Sequence, residues 1–264
     1  MILVEFILGV YTEPMSEKNK ATMNSDEHRK DWESSPPGLP AAMKPIWFNV
    51  PDKAICLDTE TTGISVLEGH RLISIGAVKL ENGKIVDEIE WIINPKREID
   101  IEATRVHGFT LNELRDKPIF RDIAQEFLDY IEDTPLVIHN SSFDLSFLDY
   151  QLNEVGMARP KTQIIDTLEL ARESLEQSKS SNLDALMKLM GIDWIDRTHH
   201  GALKDCWALA YVYICMSKAA KELGPLQTYS PKNTNIRSIR NNMIPEKILT
   251  ELNKNSEEVL GLNP

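Results

Sequence analysis

The sequence has 264 residues, of which 42% are hydrophobic and 27% charged, a composition that excludes collagen-like, mucin-like and wholly disordered proteins. The sequence has 29 Lys and Arg residues and 41 Asp and Glu residues, which give a net charge of −12. A protein that holds nucleic acid by its own basic surface has a net charge of the opposite sign. Any polyanionic substrate must therefore be met locally, by metal ions or by the surface of a partner protein.

The cysteines and the first residues indicate a reducing compartment and no membrane segment. Only three cysteines occur, none in a CxxC pair, which argues against a disulfide framework or a zinc site. The apolar start, residues 1–10, is too short to span a bilayer and lacks the basic residues of a signal peptide. We therefore predict a cytoplasmic protein.

Residues 1–51 are predicted to be a disordered extension. Residues 15–45 are polar and lack periodicity, and the Pro- and Gly-containing run at 34–40 cannot form a regular element. An alternative that the sequence leaves open is that translation begins at Met15 or Met43.

From Ala54 onward the sequence predicts a mixed α/β sheet in one domain, over residues 52–218. A buried strand at 54–57 ends at Asp58. Two apolar runs, at 72–80 and 85–93, flank Asn82-Gly83, a pair typical of a two-residue hairpin turn. The elements that follow are a helix from Pro118, a strand at 136–138, a helix from Ser142, a strand at 163–165, a helix capped by Asp166, and helices over 182–190 and 203–216.

Two acids lie where the first strand is predicted to end, in the run Asp58-Thr59-Glu60-Thr61-Thr62-Gly63. Alternate side chains of an extended chain point to the same side, so Asp58 and Glu60 lie close together. Their carboxylates repel each other unless a cation lies between them, and oxygen ligands favour a hard ion such as Mg²⁺ or Mn²⁺. The alternative is a solvent-exposed strand end beside a Thr-Gly turn.

Acids and histidines also precede or open two later helices. Asp144 falls in the first turn of the helix that follows strand 136–138, where the helix dipole alone favours an acid. His200 precedes the helix at 203–216, and Asp205 lies in that helix's first turns. A single histidine ahead of a helix is more often a cap or a surface residue than a catalytic base.

Taken together and in order, these patterns resemble a known family. The chain has D-x-E at a strand end, N-x-x-F-D at the start of one helix and H-G-A-x-x-D at the start of another. These patterns resemble the three motifs of the DEDDh 3′–5′ exonucleases. Within that family they are most similar to the motifs of the proofreading subunits of replicative DNA polymerases. The resemblance covers residues 54–217. Within this range it includes, besides the three motifs, Gly69-His70, Val106-His107-Gly108 and Arg197-Thr198. It implies an RNase H-like mixed β-sheet flanked by helices.

The resemblance also implies the residues of the active site. Two Mg²⁺ or Mn²⁺ ions would be held by four acids, with Asp58 between them, and His200 would be the general base that takes a proton from water. The spacing of five residues to Asp205 favours His200 over His199 for this role. The metal ligands implied are Asp58, Glu60, Asp144 and Asp205, and the positions implied to bind substrate are Asp58, Glu60, Thr61, Glu102, His107 and Asp205. Glu102 is alternatively a helix-start acid and His107 a packing residue.

The implied reaction is hydrolysis of the 3′-terminal phosphodiester, which releases a nucleoside 5′-monophosphate. The implied setting is proofreading of new DNA within a replicative polymerase. One alternative is a stand-alone exonuclease that trims DNA or RNA 3′ ends, and another is a non-catalytic polymerase-binding subunit, against which the intact acids argue.

Residues 219–264 are predicted to be a linker and partner-binding tail. Gly224-Pro225 ends the preceding helix, and Pro245 opens a short amphipathic segment over 244–252. The resemblance implies that this tail binds the polymerase catalytic subunit, and the alternative is that it packs on the exonuclease domain. Residues 227–230 lie where proofreading subunits carry a sliding-clamp peptide but lack its apolar pair, which puts clamp binding in doubt.

Overall fold

The computed structural model of the chain describes residues 25–34, 48–175, 180–197 and 199–223, and seven single positions between them: 36, 37, 40, 41, 43, 44 and 46. The predicted amphipathic segment at 244–252 and the tail beyond 223 lie outside the described residues. Within that described part, no helix is both long and apolar enough to cross a bilayer.

A five-stranded mixed sheet lies at the centre, with the strand order β3-β2-β1-β4-β5. The strands are β1 (Lys53–Thr61), β2 (Leu72–Glu81), β3 (Lys84–Ile92), β4 (Leu136–Ile138) and β5 (Ile164–Asp166). β1 is antiparallel to β2 and parallel to β4, and β4 is parallel to β5. The carboxyl ends of β1, β4 and β5 therefore meet at one edge of the sheet. The predicted hairpin is confirmed, because Asn82 and Gly83 have φ values of 51° and 76°, as a two-residue turn requires.

Helices cover both faces of this sheet. They are α1 (Ser25–Ser34), α2 (Ile101–His107), α3 (Leu111–Leu114), α4 (Phe120–Ile131), α5 (Ser141–Glu154), α6 (Thr167–Ser174), α7 (Leu183–Leu189) and α8 (Ala202–Leu223). One apolar core joins the sheet to α4 and α5, through side chains such as Phe127 and Phe147. The other joins the opposite face to α1, α6, α7 and α8. The predicted RNase H-like sheet flanked by helices is thus confirmed.

The first strand is longer than predicted. β1 continues to Thr61, so Asp58 and Glu60 lie inside the strand and not after it. The physical reason is that backbone pairing with β2 continues past the apolar residues, with Asp58 opposite Gly76 and Glu60 opposite Ser74. The short helix α3 was not predicted, and α2 confirms the alternative in which Glu102 lies at the start of a helix. The helix predicted over 203–216 is longer in the structure, where α8 reaches Leu223.

The N-terminal extension also differs from the prediction, because residues 25–34 form α1 instead of disordered chain. Trp32 is 6% exposed, its Nε1 donates to the Met190 carbonyl at 3.1 Å, and its ring lies edge-on to Trp194 and Tyr211. One large side chain thus anchors α1. A helix held in this way needs no periodic apolar pattern, so the sequence pattern did not predict it. Residues 1–24 lie outside the described residues.

Candidate active site

Three predicted metal ligands come together on the sheet. Carboxylate oxygens of Asp58, Glu60 and Asp205 all lie within 4.8 Å of one another. The first two project from β1 at alternate positions, and the third lies in the first turn of α8, which packs across β1 and β2. Residues about 145 positions apart in the sequence therefore form one acidic cluster, which we call the acid cluster.

Asp144, the fourth predicted ligand, joins this cluster through β1. Its Oδ1 accepts a hydrogen bond from Thr59 Oγ1 at 2.8 Å, and the residue is only 3% exposed. Burial raises the pKa of Asp144 to about 7, although the hydrogen bond from Thr59 opposes the shift. Asp144 lies in the first turn of α5, as the sequence predicted.

The start of α5 is held by Asp166 at the end of β5. The Asp166 carboxylate accepts from the backbone N–H groups of Asn140 and Ser141, at 3.1 and 2.8 Å. The same carboxylate caps its own helix, α6, by accepting from the N–H groups of Leu168 and Glu169. One side chain thus fixes the first turns of two helices, one of which carries Asp144.

The pKa values of the clustered acids are shifted in different directions. Burial raises the pKa values of Asp58 and Glu60 well above their usual range, and the neighbouring carboxylates of Asp205 and Asp144 raise them further. Burial acts in the same direction on Asp205, but hydrogen bonds from His200 and Arg197 outweigh it, so the pKa of Asp205 is lowered. Asp205 is therefore the acid held in its ionised form without a metal ion.

His200 contacts this ionised acid directly. Its Nδ1 lies 2.8 Å from Asp205 Oδ2, and its backbone N–H donates to the Val106 carbonyl at 3.0 Å. His199, in contrast, is exposed, and its carbonyl accepts from Lys204 Nζ at 3.2 Å. The structure thus brings His200 to the acid cluster and leaves the His199 side chain at the surface.

His107 is buried beside the cluster, at the end of α2. Its Nδ1 accepts from the Phe109 N–H at 3.0 Å, so the neutral ring carries its proton on Nε2. Burial lowers the pKa of His107 to about 4, in part opposed by the Thr61 backbone and assisted by the nearby His200. Among the described residues, its buried Nε2 finds no hydrogen-bond partner of good geometry.

The other two predicted substrate contacts lie outside the acid cluster. Thr61 is buried at the end of β1, and its Oγ1 donates to the Gly63 carbonyl at 2.6 Å. Glu102 is exposed in the first turn of α2, where it pairs with Arg105 at 2.5 Å. The structure therefore leaves Glu102 at the surface, with an ion-pair partner on its own helix.

The acid cluster fits a divalent cation. Buried carboxylates that raise one another's pKa values need either protons or positive charge to remain together. Clustered carboxylate oxygens are the donors that hard cations prefer. Side chains of Asp58, Glu60 and Asp205 can therefore bind such an ion jointly, with Asp144 beside them.

Sequence reasoning missed three residues that position the site, namely Thr59, Asp166 and Arg197. Thr59 and Arg197 lie within the quoted motifs, but nothing in their spacing indicated that they bind Asp144 and Asp205. Asp166 was predicted as the cap of α6, which is confirmed, but its bonds to α5 were not predicted.

Comparisons with known proteins identify the family of this chain. The exonuclease family model (RNase_T) matches residues 55–213. A DNA polymerase III subunit epsilon from Rickettsia felis is 36% identical over 212 residues, which cover 78% of this chain and 92% of that protein. Its counterpart from Haemophilus influenzae is 45% identical over 176 residues, 63% of this chain and 68% of that protein.

A solved structure with the same fold is that of exonuclease X in complex with 5′ overhanging duplex DNA. It is 26% identical, with a TM-score of 0.51, over 63% of this chain and 92% of that one. The sequence motifs, the clustered acids and these relatives agree, and the chain belongs to the exonuclease family and, within it, to the epsilon subunits of DNA polymerase III.

Proposed function

We infer that this protein is a 3′–5′ exonuclease that proofreads newly made DNA as a subunit of a replicative polymerase. The observation that carries the inference is the acid cluster of Asp58, Glu60 and Asp205 with His200 bound to one of its acids. Relatives named as epsilon subunits of DNA polymerase III support the setting. A buried acid cluster with a histidine has no evident use in a non-catalytic binding subunit.

We propose that Asp58, Glu60, Asp144 and Asp205 hold two Mg²⁺ or Mn²⁺ ions. Such ions activate water and neutralise the charge of the scissile phosphate. The four carboxylates supply the negative charge that keeps the ions in place. Thr59 holds one of these carboxylates, that of Asp144, by a hydrogen bond. This local positive charge explains how a chain with a net charge of −12 binds a polyanion.

His200 is the proposed general base. Its contacts with Asp205 and Arg197 both involve Nδ1, so Nε2 is the nitrogen that takes the proton of the attacking water. Asp205 orients the ring, because an ionised carboxylate accepts a hydrogen bond from Nδ1.

The terminal nucleotide is proposed to bind between β1 and α2. Among the described residues the buried Nε2–H of His107 makes no hydrogen bond of good geometry, so it can donate to an oxygen of the terminal nucleotide. Thr61 contributes backbone atoms beside this histidine. Glu102 contacts the nucleotide only if its surface ion pair with Arg105 breaks. Breaking an exposed ion pair costs little free energy.

The experiment that tests the activity is degradation of DNA oligonucleotides by the full chain. We expect 3′ ends to be degraded with Mg²⁺ or Mn²⁺, EDTA to abolish the reaction, and Asp58→Ala to abolish it while the fold survives. Glu126→Ala, an exposed acid on α4, is the matched control and should retain activity. Near-native turnover by Asp58→Ala would show that the proposed metal ligands are wrong.

Proofreading and general trimming are distinguished by the substrate. A terminal nucleotide must leave its duplex to reach a buried site, and a mismatch has already lost that pairing energy. We therefore expect faster hydrolysis of mispaired than of paired 3′ termini. Equal rates would favour the alternative of a stand-alone DNA or RNA trimming enzyme.

The proposed partner is the polymerase catalytic (alpha) subunit, bound through the tail. Because the described residues end at Leu223 of α8, deletion of residues 224–264 removes none of them. We expect this deletion to leave hydrolysis of free oligonucleotides nearly unchanged and to abolish co-elution with the alpha subunit. A complex that survives the deletion would contradict the tether. The cytoplasmic location remains a prediction.

A further inference from the structure

Arg197 makes an unusual set of contacts for a residue outside the acid cluster. Its Nε donates to Asp205 Oδ1 and its Nη2 to Asp205 Oδ2, both at 2.7 Å. Nη2 also lies 3.1 Å from His200 Nδ1, and Nη1 pairs with Asp184 on α7. The side chain is only 7% exposed, so these contacts are shielded from water.

The three donors on Asp205 leave it little freedom. A carboxylate offers about four lone-pair positions, and two are taken by the guanidinium fork of Arg197 and one by His200. The remaining position lies on Oδ1, within a cluster whose oxygens lie within 4.8 Å of one another. The carboxylate is thus held in one orientation, with one lone-pair position of Oδ1 left to bind a cation.

The charge of Arg197 matters as much as its shape. Arg197 is the cation that pairs with Asp205, and the pair lies beside the carboxylates of Asp58 and Glu60. Without the guanidinium, Asp205 would be a buried carboxylate among other acids, with only His200 as its partner. Repulsion by the neighbouring carboxylates would then turn its side chain away from the orientation that a shared cation needs.

We propose that Arg197 is a positioning residue for the acid cluster: it serves as counter-ion to Asp205 before metal binds, and it holds Asp205, and through Asp205 the bound ring of His200, in the orientation that metal binding and catalysis need. The inference rests on the proposed metal-dependent hydrolysis. Asp184 on α7 anchors the other end of the guanidinium, so the position of Arg197 does not depend on the metal ion.

Lysine cannot replace this arginine. The planar guanidinium fork binds both oxygens of one carboxylate, whereas an ammonium group is a point charge on a flexible stem. Arg197→Lys therefore keeps the charge and loses the orientation, and Arg197→Ala loses both. A merely structural arginine would show no such order in metal affinity.

The test compares Arg197→Lys and Arg197→Ala with Arg159→Ala. Arg159 forms a similarly shielded, two-bonded pair with Asp149, at 2.8 and 3.2 Å, away from the acid cluster. For each variant we would measure Mn²⁺ affinity by electron paramagnetic resonance and calorimetry, the thermal midpoint of the metal-free protein, and kcat and KM on an oligonucleotide.

We expect Arg197→Ala to weaken Mn²⁺ binding and to lower kcat by about 10–100-fold each, the usual loss when a group that orients a metal ligand is removed. Arg197→Lys should fall between this variant and the wild type, with KM little changed in both. Arg159→Ala should lower the thermal midpoint and leave Mn²⁺ affinity and kcat near wild type.

Unchanged or tighter Mn²⁺ binding by Arg197→Ala would overturn the inference, since the arginine would then be neutral or repulsive toward the metal. If Arg197→Ala does not fold, Arg197→Lys decides by the same measurement. Failure of the proposed function is distinguishable, because the wild-type protein itself would then bind no Mn²⁺ and hydrolyse no DNA.

Discussion

Gly76 of β2 lies directly against the backbone of Ala202, at the start of α8. A Cβ atom added at Gly76 would come within 3.0 Å of backbone atoms of Ala202 and Leu203, closer than Cβ atoms approach in real proteins. Gly76 also pairs with Asp58 across the two strands. The absence of a side chain therefore lets α8 approach the strand that carries Asp58, which brings Asp205 to it.

We expect Gly76→Ala to lower the free energy of unfolding by about 1–3 kcal/mol, as overpacking does, and to reduce turnover by displacing Asp205. Gly201→Ala is the control for stability, because an added Cβ there meets no atom within 4 Å. Urea unfolding of both variants provides the measurement. If Gly76→Ala is as stable as the wild type, α8 does not approach β2 this closely.

The two adjacent histidines should differ sharply in their effect on catalysis. His200→Ala should lower kcat by about 10²–10⁴-fold, the usual worth of a positioned base. His199→Ala should have a much smaller effect, because its side chain is exposed while His200 contacts Asp205. Single-turnover rates at saturating Mg²⁺ provide the comparison, and the reverse order would assign the base to His199.

The metal-free protein should become less stable as the pH rises. Burial raises the pKa of Asp144 to about 7 in the folded state, against an ordinary value of 3.8. Between these pH values the folded state keeps a proton that the unfolded state has released, so the free energy of unfolding falls with rising pH. Above the folded-state pKa the loss is complete.

The measurement is urea unfolding in EDTA from about pH 4 to about pH 8, repeated with Mg²⁺. Stabilisation by Mg²⁺ should grow over the same interval, because the cation takes the place of the protons. Asp144→Asn, which cannot ionise, should flatten the dependence in EDTA. A metal-free protein that becomes more stable over this range would show that Asp144 is already ionised in the fold.

Asp166→Ala should destabilise the protein through two helices at once. The carboxylate accepts from N–H groups at the starts of α5 and α6, so its loss should cost about 2 kcal/mol, at about 1 kcal/mol for each cap. Asn182→Ala removes the single cap of α7 and should cost about half as much. Chemical denaturation measures both, and equal losses would mean that Asp166 caps one helix only.

Trp32 should be needed for docking of α1. Its ring packs against Trp194 and Tyr211, so Trp32→Ala should cost about 3–5 kcal/mol and Trp32→Phe substantially less. Thermal unfolding of the full chain compares the two variants with the wild type. A Trp32→Ala protein with an unchanged thermal midpoint would mean that α1 contributes nothing to the folded domain.

Local patterns predicted the elements whose stability is decided locally. The hairpin follows from Asn82-Gly83, which both adopt positive φ, and α4 follows from apolar residues four apart. Asp58, Glu60, Asp144, His200 and Asp205 were singled out because each lies in a short motif at the start or end of an element. The regular order of those motifs identified the family without any knowledge of distances.

What the sequence by itself determined about this protein was therefore its fold class, its family and its candidate catalytic residues. The tertiary structure alone decided that β1 continues to Thr61, that Trp32 docks α1, and that Arg197 holds Asp205. β1 depends on its pairing with β2, and Trp32 depends on residues more than 150 positions away, among them Met190 and Tyr211. Arg197 and Asp205 are close in sequence, but only the packing of α8 and α7 turns their side chains toward each other. Short motifs record which residue types a site needs, whereas the contacts that orient those residues arise only when distant segments pack together, because the distances between them are set by the whole fold.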